Sequence, residues 1–221
     1  MKIAYKEFNS VINFDETPVF TLVIEAPRLL CQFLHDIKQQ LAGNEGDVVL
    51  SDKSRECSVK RKLELISDPV DMDINTTSLL GKVASRVDTI ALDETHFEEA
   101  QQILSRLEKF VYDILLEMEA DFYCDKLTML SLVKACGIRA DACQNSLVEL
   151  LYTYMKLVRE FDTDKLFVFV NLHSFVEKGD LQDFFDTIRS HGFQALFLES
   201  HDYPRLNGEA KLIIDEDRCE I

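Results

Sequence analysis

The sequence predicts an α/β protein. A parallel-sheet head domain is assembled from both ends of the chain, residues 1–70 and 162–221, and an α-helical leg domain, 71–161, is inserted between them. Three observations predict this. Leu166-Phe167-Val168-Phe169-Val170 and Ala195-Leu196-Phe197-Leu198 are unbroken apolar runs with one amphipathic segment between them. That is the pattern of strand, helix, strand in a parallel sheet covered on both faces. Phe20-Thr21-Leu22-Val23-Ile24-Glu25 is an earlier run of the same kind. Between residues 71 and 161 apolar residues recur at helical rather than strand spacing.

The elements follow in order. Pro27 opens a helix at a position where its missing N–H does no harm. Leu30, Phe33, Leu34, Ile37 and Leu41 give that helix one apolar face, and Gly43 closes it. Residues 47–51 and 63–67 read as strands flanking a basic strip, and Asp68-Pro69 is a break. Asn75 or Thr76 caps a helix carrying Leu79, Leu80, Val83 and Val87. The longest pattern is Phe97, Ala100, Leu104, Leu107, Val111, Ile114, Met118 and Phe122, a seam of alternating threes and fours with no Gly or Pro inside it. As one helix it would run roughly 40 Å, long enough for a projecting leg or for packing between subunits. Position by position, the same residues read as ordinary bundle core. Leu127, Leu130, Val133 and Ala135 make a shorter helix stopped at Gly137. Leu147, Leu150, Leu151, Tyr154, Leu157, Val158 and Phe161 make an amphipathic one. Leu181, Phe184, Phe185 and Ile188 form one face of a helix ended by Gly192, and Lys211 to Ile214 is a candidate for one more strand.

Composition narrows the function classes. With 221 residues, 47 % apolar, and a mean hydropathy of −0.06, the chain can bury a real core. No apolar run approaches the ~18 residues of a membrane span, and Met1-Lys2-Ile3-Ala4-Tyr5-Lys6 lacks the apolar stretch of a secretory signal. Six cysteines without a C-x-x-C pair and five scattered histidines read as reduced thiols without a zinc site. Cytoplasm is the expected location.

Net charge is −16, which at face value disfavours nucleic acid. The charge is uneven, however. Ser51 to Lys62 carries Lys53, Arg55, Lys60, Arg61 and Lys62 against Asp52 and Glu56, a net of +3, leaving −19 elsewhere. Asp88 to Asp125 holds eleven acids against Arg106 and Lys109. An acidic body with one basic strip can bind DNA through the strip when oligomerisation gathers several copies. Taken alone, five cations in twelve residues read more simply as a solvated loop.

The strand–helix frame is that of a P-loop nucleotide hydrolase whose catalytic parts are missing. The junction Glu25-Ala26-Pro27-Arg28 has no glycine and no Gly-Lys-Ser/Thr, so backbone N–H groups cannot converge on phosphates there. The position after Val170, where a metal-binding aspartate would stand, holds Asn171. Gly81-Lys82-Val83 lacks the rest of a phosphate loop, and no G-x-S-x-G elbow occurs. His173, just beyond the strand, reads as a packed or capping residue. Glu117, Glu119, Asp121 and Asp125 form the sharpest polar cluster. On an unbroken helix Glu117, Asp121 and Asp125 would stack on one face, a repulsion that solvation, helix termination or a hard cation such as Ca²⁺ relieves. A solvated acidic face is the simpler account, and a two-metal nuclease site fits poorly at a helix end. The reading is a binding or assembly protein rather than an enzyme; the alternative is a metal-dependent nuclease or an NTPase with an atypical site.

The order of these features resembles the Csn-two family of type II-A CRISPR-associated adaptation proteins. The resemblance rests on Leu22 to Glu25, the acidic turn Glu119 to Thr128, Leu166 to Asn171, Leu196 to Glu199 and the acidic end Ile214 to Asp217, and it spans essentially the whole chain. It implies a non-enzymatic protein with a degenerate P-loop-type head and a helical leg, forming a ring-shaped homotetramer. Double-stranded DNA ends pass through its basic channel, and Ca²⁺ holds head and leg. It also implies a role in spacer acquisition, alongside the CRISPR integrase proteins and the effector nuclease. Carried onto this chain, calcium falls to Glu117, Glu119, Asp121 and Asp125. DNA falls to Lys53, Arg55, Lys60, Arg61 and Lys62, matched only as a basic loop.

Overall fold

The structure, a computed structural model, describes residues 1–53, 55–141 and 146–221. It divides into two compact units, Met1–Met72 with Cys143–Ile221, and Asp73–Ala142.

The first unit is mixed α/β. The chain begins with strands β1 (Lys2–Tyr5), β2 (Ile12–Asn13) and β3 (Val19–Ile24), followed by helix α1 (Pro27–Ala42). Then come β4 (Val48–Asp52), β5 (Arg55–Cys57), the short helix α2 (Val59–Lys62) and β6 (Leu63–Ile66). Five strands form a parallel sheet in the order β6, β7 (Leu166–Val170), β8 (Gln194–Glu199), β3, β9 (Ala210–Ile214). All five residues of β7 are buried, as its unbroken apolar run requires of a strand covered on both faces.

Alternation sends each strand's side chains to two cores. On one face Leu22, Ile24, Val168, Leu196 and Leu198 meet Leu29, Phe33 and Ile37 of α1. Ile3, Tyr5, Val48 and Leu50 of a smaller antiparallel sheet, ordered β2-β1-β4-β5, join that core. On the other face Phe167, Phe169, Ala195 and Phe197 pack with two helices. These are α6 (Leu147–Arg159), through Leu151, Met155 and Val158, and α7 (Lys178–Ser190), through Leu181, Phe184, Phe185 and Ile188. Helix α6, grouped with the leg in the sequence reading, thus covers the sheet. The two strands flanking the basic strip also part company: β4 joins the small sheet and β6 the edge of the large one.

The second unit holds α3 (Thr77–Ala91), α4 (Phe97–Leu115) and α5 (Met129–Ala135). Thr76 Oγ1 caps α3 by accepting from Leu79 N–H, and Thr128 with Ser131 forms a reciprocal cap on α5. Its core is small: Ala84, Ala100, Leu104, Met129 and Val133. Asn75 ties the ends of the unit, donating to Ala140 O at 3.2 Å and accepting from Ala140 N–H at 2.7 Å.

The long seam is shorter than predicted. Helix α4 ends at Leu115, about 28 Å from its start, and residues 119–128 carry no regular structure beyond a bend. Only Ala100 and Leu104 of the 19 residues of α4 are buried.

Candidate nucleic-acid interface and metal centre

The basic strip folds as the end of β4, a reversal, β5 and α2. Lys53 stands at the reversal with a left-handed φ of 47°; Ser54 lies outside the described residues. Strand β5 is an edge strand, and the charges of Arg55 and Glu56 guard it against pairing with another chain. Buried Val59 anchors α2, whose turn closes through Arg61 and Lys62 N–H donating to Ser58 O.

The five cations divide into two groups. Lys62 Nζ lies 3.6 Å from Asp164 Oδ2. A Cβ built on Gly43 would lie 3.4 Å from Lys60 Nζ, so this ammonium rests beside the C-terminus of α1, where the helix dipole favours a cation. Lys53, Arg55 and Arg61 are exposed and make no ion pair among the described residues, and unlike Lys60, which is also exposed and without an ion pair, they are not placed at the end of α1. These three are the charges the strip offers to a polyanion. Lys53 also borders a polar cavity of about 230 Å³, but Asp15, Asp52 and Asp164 line it too, which makes it a poor phosphate pocket.

The acids predicted to stack do not. With α4 ended at Leu115, Glu117 winds into a final turn through its N–H to Ile114 O, and Glu119, Asp121 and Asp125 follow in irregular chain. All four are exposed, and among the described residues no group of three His, Cys, Asp or Glu side chains could hold a metal ion. Within a single chain the residues therefore do not fit a calcium cage. The stack fails for a physical reason: like charges four residues apart weaken a helix already short of buried contacts. The chain returns at Leu127, whose N–H donates to Glu108 Oε1 at 2.9 Å.

The carboxyl edge of the parallel sheet, where α/β proteins usually bind ligands, is closed on itself. The turn into α1 has no side-chain cap and starts with Pro27, so one donor a phosphate would need is absent. Asn171, at a left-handed φ of 52°, accepts from Ser200 N–H at 3.0 Å. Glu199 is 0 % exposed. Its Oε1 accepts from His173 N–H at 3.3 Å and lies 2.8 Å from His173 Nδ1, while Oε2 has no partner. Tyr203 stacks on the His173 ring, and the Tyr203 and Ser174 hydroxyls lie 3.1 Å apart. His173 is packed, as its sequence position suggested. The sequence reading missed Glu199 as its partner; the available signal was one acid at the end of the apolar run of β8. A second buried acid, Glu209, accepts from Thr21 Oγ1 of β3 and from Leu206 N–H.

A model of the family described as CRISPR-associated protein (Cas_Csn2) matches residues 40–218, from the end of α1 to beyond the last strand. The chain belongs to the CRISPR-associated Csn2 family. Two relatives carry the name CRISPR-associated protein Csn2. The one from Streptococcus agalactiae is 24% identical over 163 residues, covering 71% of this chain and 70% of the relative. The one from Enterococcus faecalis is 22% identical over 162 residues, covering 70% and 71%. Csn2 membership gives this chain a CRISPR-associated role, and both the basic strip and the acidic segment lie inside the matched span. No helix among the described residues is long and apolar enough to cross a membrane.

Proposed function

We propose that this Csn2-family protein is a non-enzymatic, sequence-independent binder of double-stranded DNA ends that works as a homotetrameric ring in the cytoplasm during spacer acquisition. The observation that carries the reading is the trio Lys53, Arg55 and Arg61, exposed and unpaired on an otherwise acidic chain. One copy offers too few cations to hold a polyanion; four copies facing a common channel offer a dozen. The outward acids then repel DNA from the rest of the surface, so the duplex is held where the strips converge. Contacts of this kind reach phosphates rather than base edges, which makes binding indifferent to sequence.

The head reads as a P-loop-type frame turned to a structural use. Its carboxyl edge lacks a glycine cradle, carries Pro27 at the helix start and Asn171 in place of a carboxylate, and keeps its buried acid engaged with His173. CRISPR integrase proteins and the effector nuclease are the partners this role implies. Contact between the strip and phosphates needs no metal; calcium would be held by Glu117, Glu119, Asp121 and Asp125 only once they are drawn together, since in one chain they do not converge.

Binding to linear and covalently closed circular duplexes of equal length tests the ring. A closed ring threads a free end, so linear DNA should be bound and circles should not. Equal binding to both sinks end-threading. Multiple-turnover release of phosphate, or cutting of either DNA, would instead establish the NTPase or nuclease alternative.

A further inference from the structure

The net of +3 on the basic strip counts only residues 51–62. The fold brings one more charge to it from far along the chain. Asp164 lies in the turn between α6 and β7, and β7 pairs with β6 so that Leu166 stands opposite Leu63. The residues just before that pair are Lys165 and Lys62, two cations gathered where the neighbouring strands begin.

Each of these cations has its own carboxylate, and the two pairs differ in burial. The Lys165 side chain is 10 % exposed and its Nζ lies 2.9 Å from Glu64 Oε2, while Glu64 Oε1 accepts from the Tyr154 hydroxyl at 2.5 Å. That network ties β6, α6 and the turn together and so fixes where Asp164 stands. Lys62 is one-third exposed, and Asp164, 66 % exposed, lies 3.6 Å from its ammonium. An open pair of this kind adds little to stability; what it changes is the charge that the strip presents. Asp164 also lines the polar cavity of about 230 Å³ that Lys53 borders. It therefore stands within the basic surface, paired with Lys62 and sharing a cavity wall with Lys53, rather than at its margin.

We infer that Asp164 limits how many phosphates the strip engages, by holding the Lys62 ammonium out of the DNA contact. This rests on the reading of the strip as the surface that meets the duplex. The number of counterions released on binding follows the number of cations that reach phosphates, so an acid that retains one cation per copy makes each copy a weaker binder. Retention of the duplex then depends on the assembled set of strips rather than on any one of them.

Affinity of the full chain for a short duplex of random sequence, read by fluorescence anisotropy over a series of salt concentrations, tests it. Asp164→Asn is close in shape and should steepen the slope of log affinity against log salt by up to about four in a tetramer. The affinity lost between about 50 and 200 mM salt should then grow by roughly 100-fold. Adding Lys62→Ala to Asp164→Asn should return the slope to the wild-type value, because the freed ammonium is gone. Asp52→Asn removes a charge from the same cavity wall, but Asp52 makes no ion pair among the described residues, so its slope should stay that of the wild type. A steeper slope that survives the loss of Lys62, or that Asp52→Asn reproduces, would be an effect of net charge and overturns the inference. An Asp164→Asn protein with the wild-type slope, or with a changed mass in sedimentation, overturns it as well. Each of these results leaves the DNA reading standing, whereas a wild-type chain that binds no duplex at low salt overturns both.

Discussion

Glu199 has no access to water, and one of its oxygens is unpartnered. A buried carboxylate persists only when its neighbours hold it, and here His173 does so with both backbone and ring. Glu199→Ala should cost about 3 kcal/mol, because it strands two buried donors; urea unfolding read by circular dichroism gives the value. Two tyrosines carry a pH signature. Burial, then the charge and hydrogen bond of Glu64, pushes the Tyr154 hydroxyl well above the usual tyrosine range; burial and Asp36 do the same to Tyr5. A group whose folded pKa is raised contributes stability that is whole below its unfolded pKa, about 10 for tyrosine, and is lost as pH rises beyond it. Melting temperature should therefore fall above about pH 10, and the Tyr5→Phe, Tyr154→Phe double variant should fall less steeply.

The elements show where pattern and outcome separate. Strand β7 and the cap of α3 stand where the apolar run and Thr76 put them. Helix α4 illustrates the limit. Its threes-and-fours spacing continues to Phe122, yet the helix stops at Leu115, because beyond Leu104 no residue of α4 is fully buried. Helical stability in proteins comes mostly from such packing. A calcium ion can be held by the acids of 117–125 only by drawing them together. The expected mark of binding is slower hydrogen exchange across residues 116–128 on adding Ca²⁺, absent in Asp121→Ala with Asp125→Ala. Exchange unchanged by Ca²⁺ would remove calcium from this protein's account.

For the whole molecule the governing quantity is charge. A net of −16 with a +3 strip makes affinity for DNA a property of the assembly, steep in salt. Each exposed strip cation that touches a phosphate adds about 0.9 to the slope of log affinity against log salt. Arg61→Ala should lower that slope by up to about four in a tetramer while leaving the mass unchanged. Lys62→Ala, which loses an ion pair to Asp164, should change it less. Equal slopes for the two variants would mean that the division of the strip into held and free cations does not govern binding.

The sequence by itself determined the parallel strands, because runs such as Leu166 to Val170 have no polar face to show to water. It determined the missing phosphate cradle, because neither Pro27 nor a glycine-free turn can present converging N–H groups. The order of its motifs was also enough to point to the Csn2 family. Tertiary structure decided the rest. It sent β4 and β6 to different sheets, laid α6 on the large sheet, paired Glu199 with His173, separated Lys60 and Lys62 from Lys53, Arg55 and Arg61, and left half of α4 uncovered. Periodicity records which face of an element is apolar, whereas the surface that covers it comes from residues far away in the chain. A charge likewise becomes a site only where the fold leaves it without a partner.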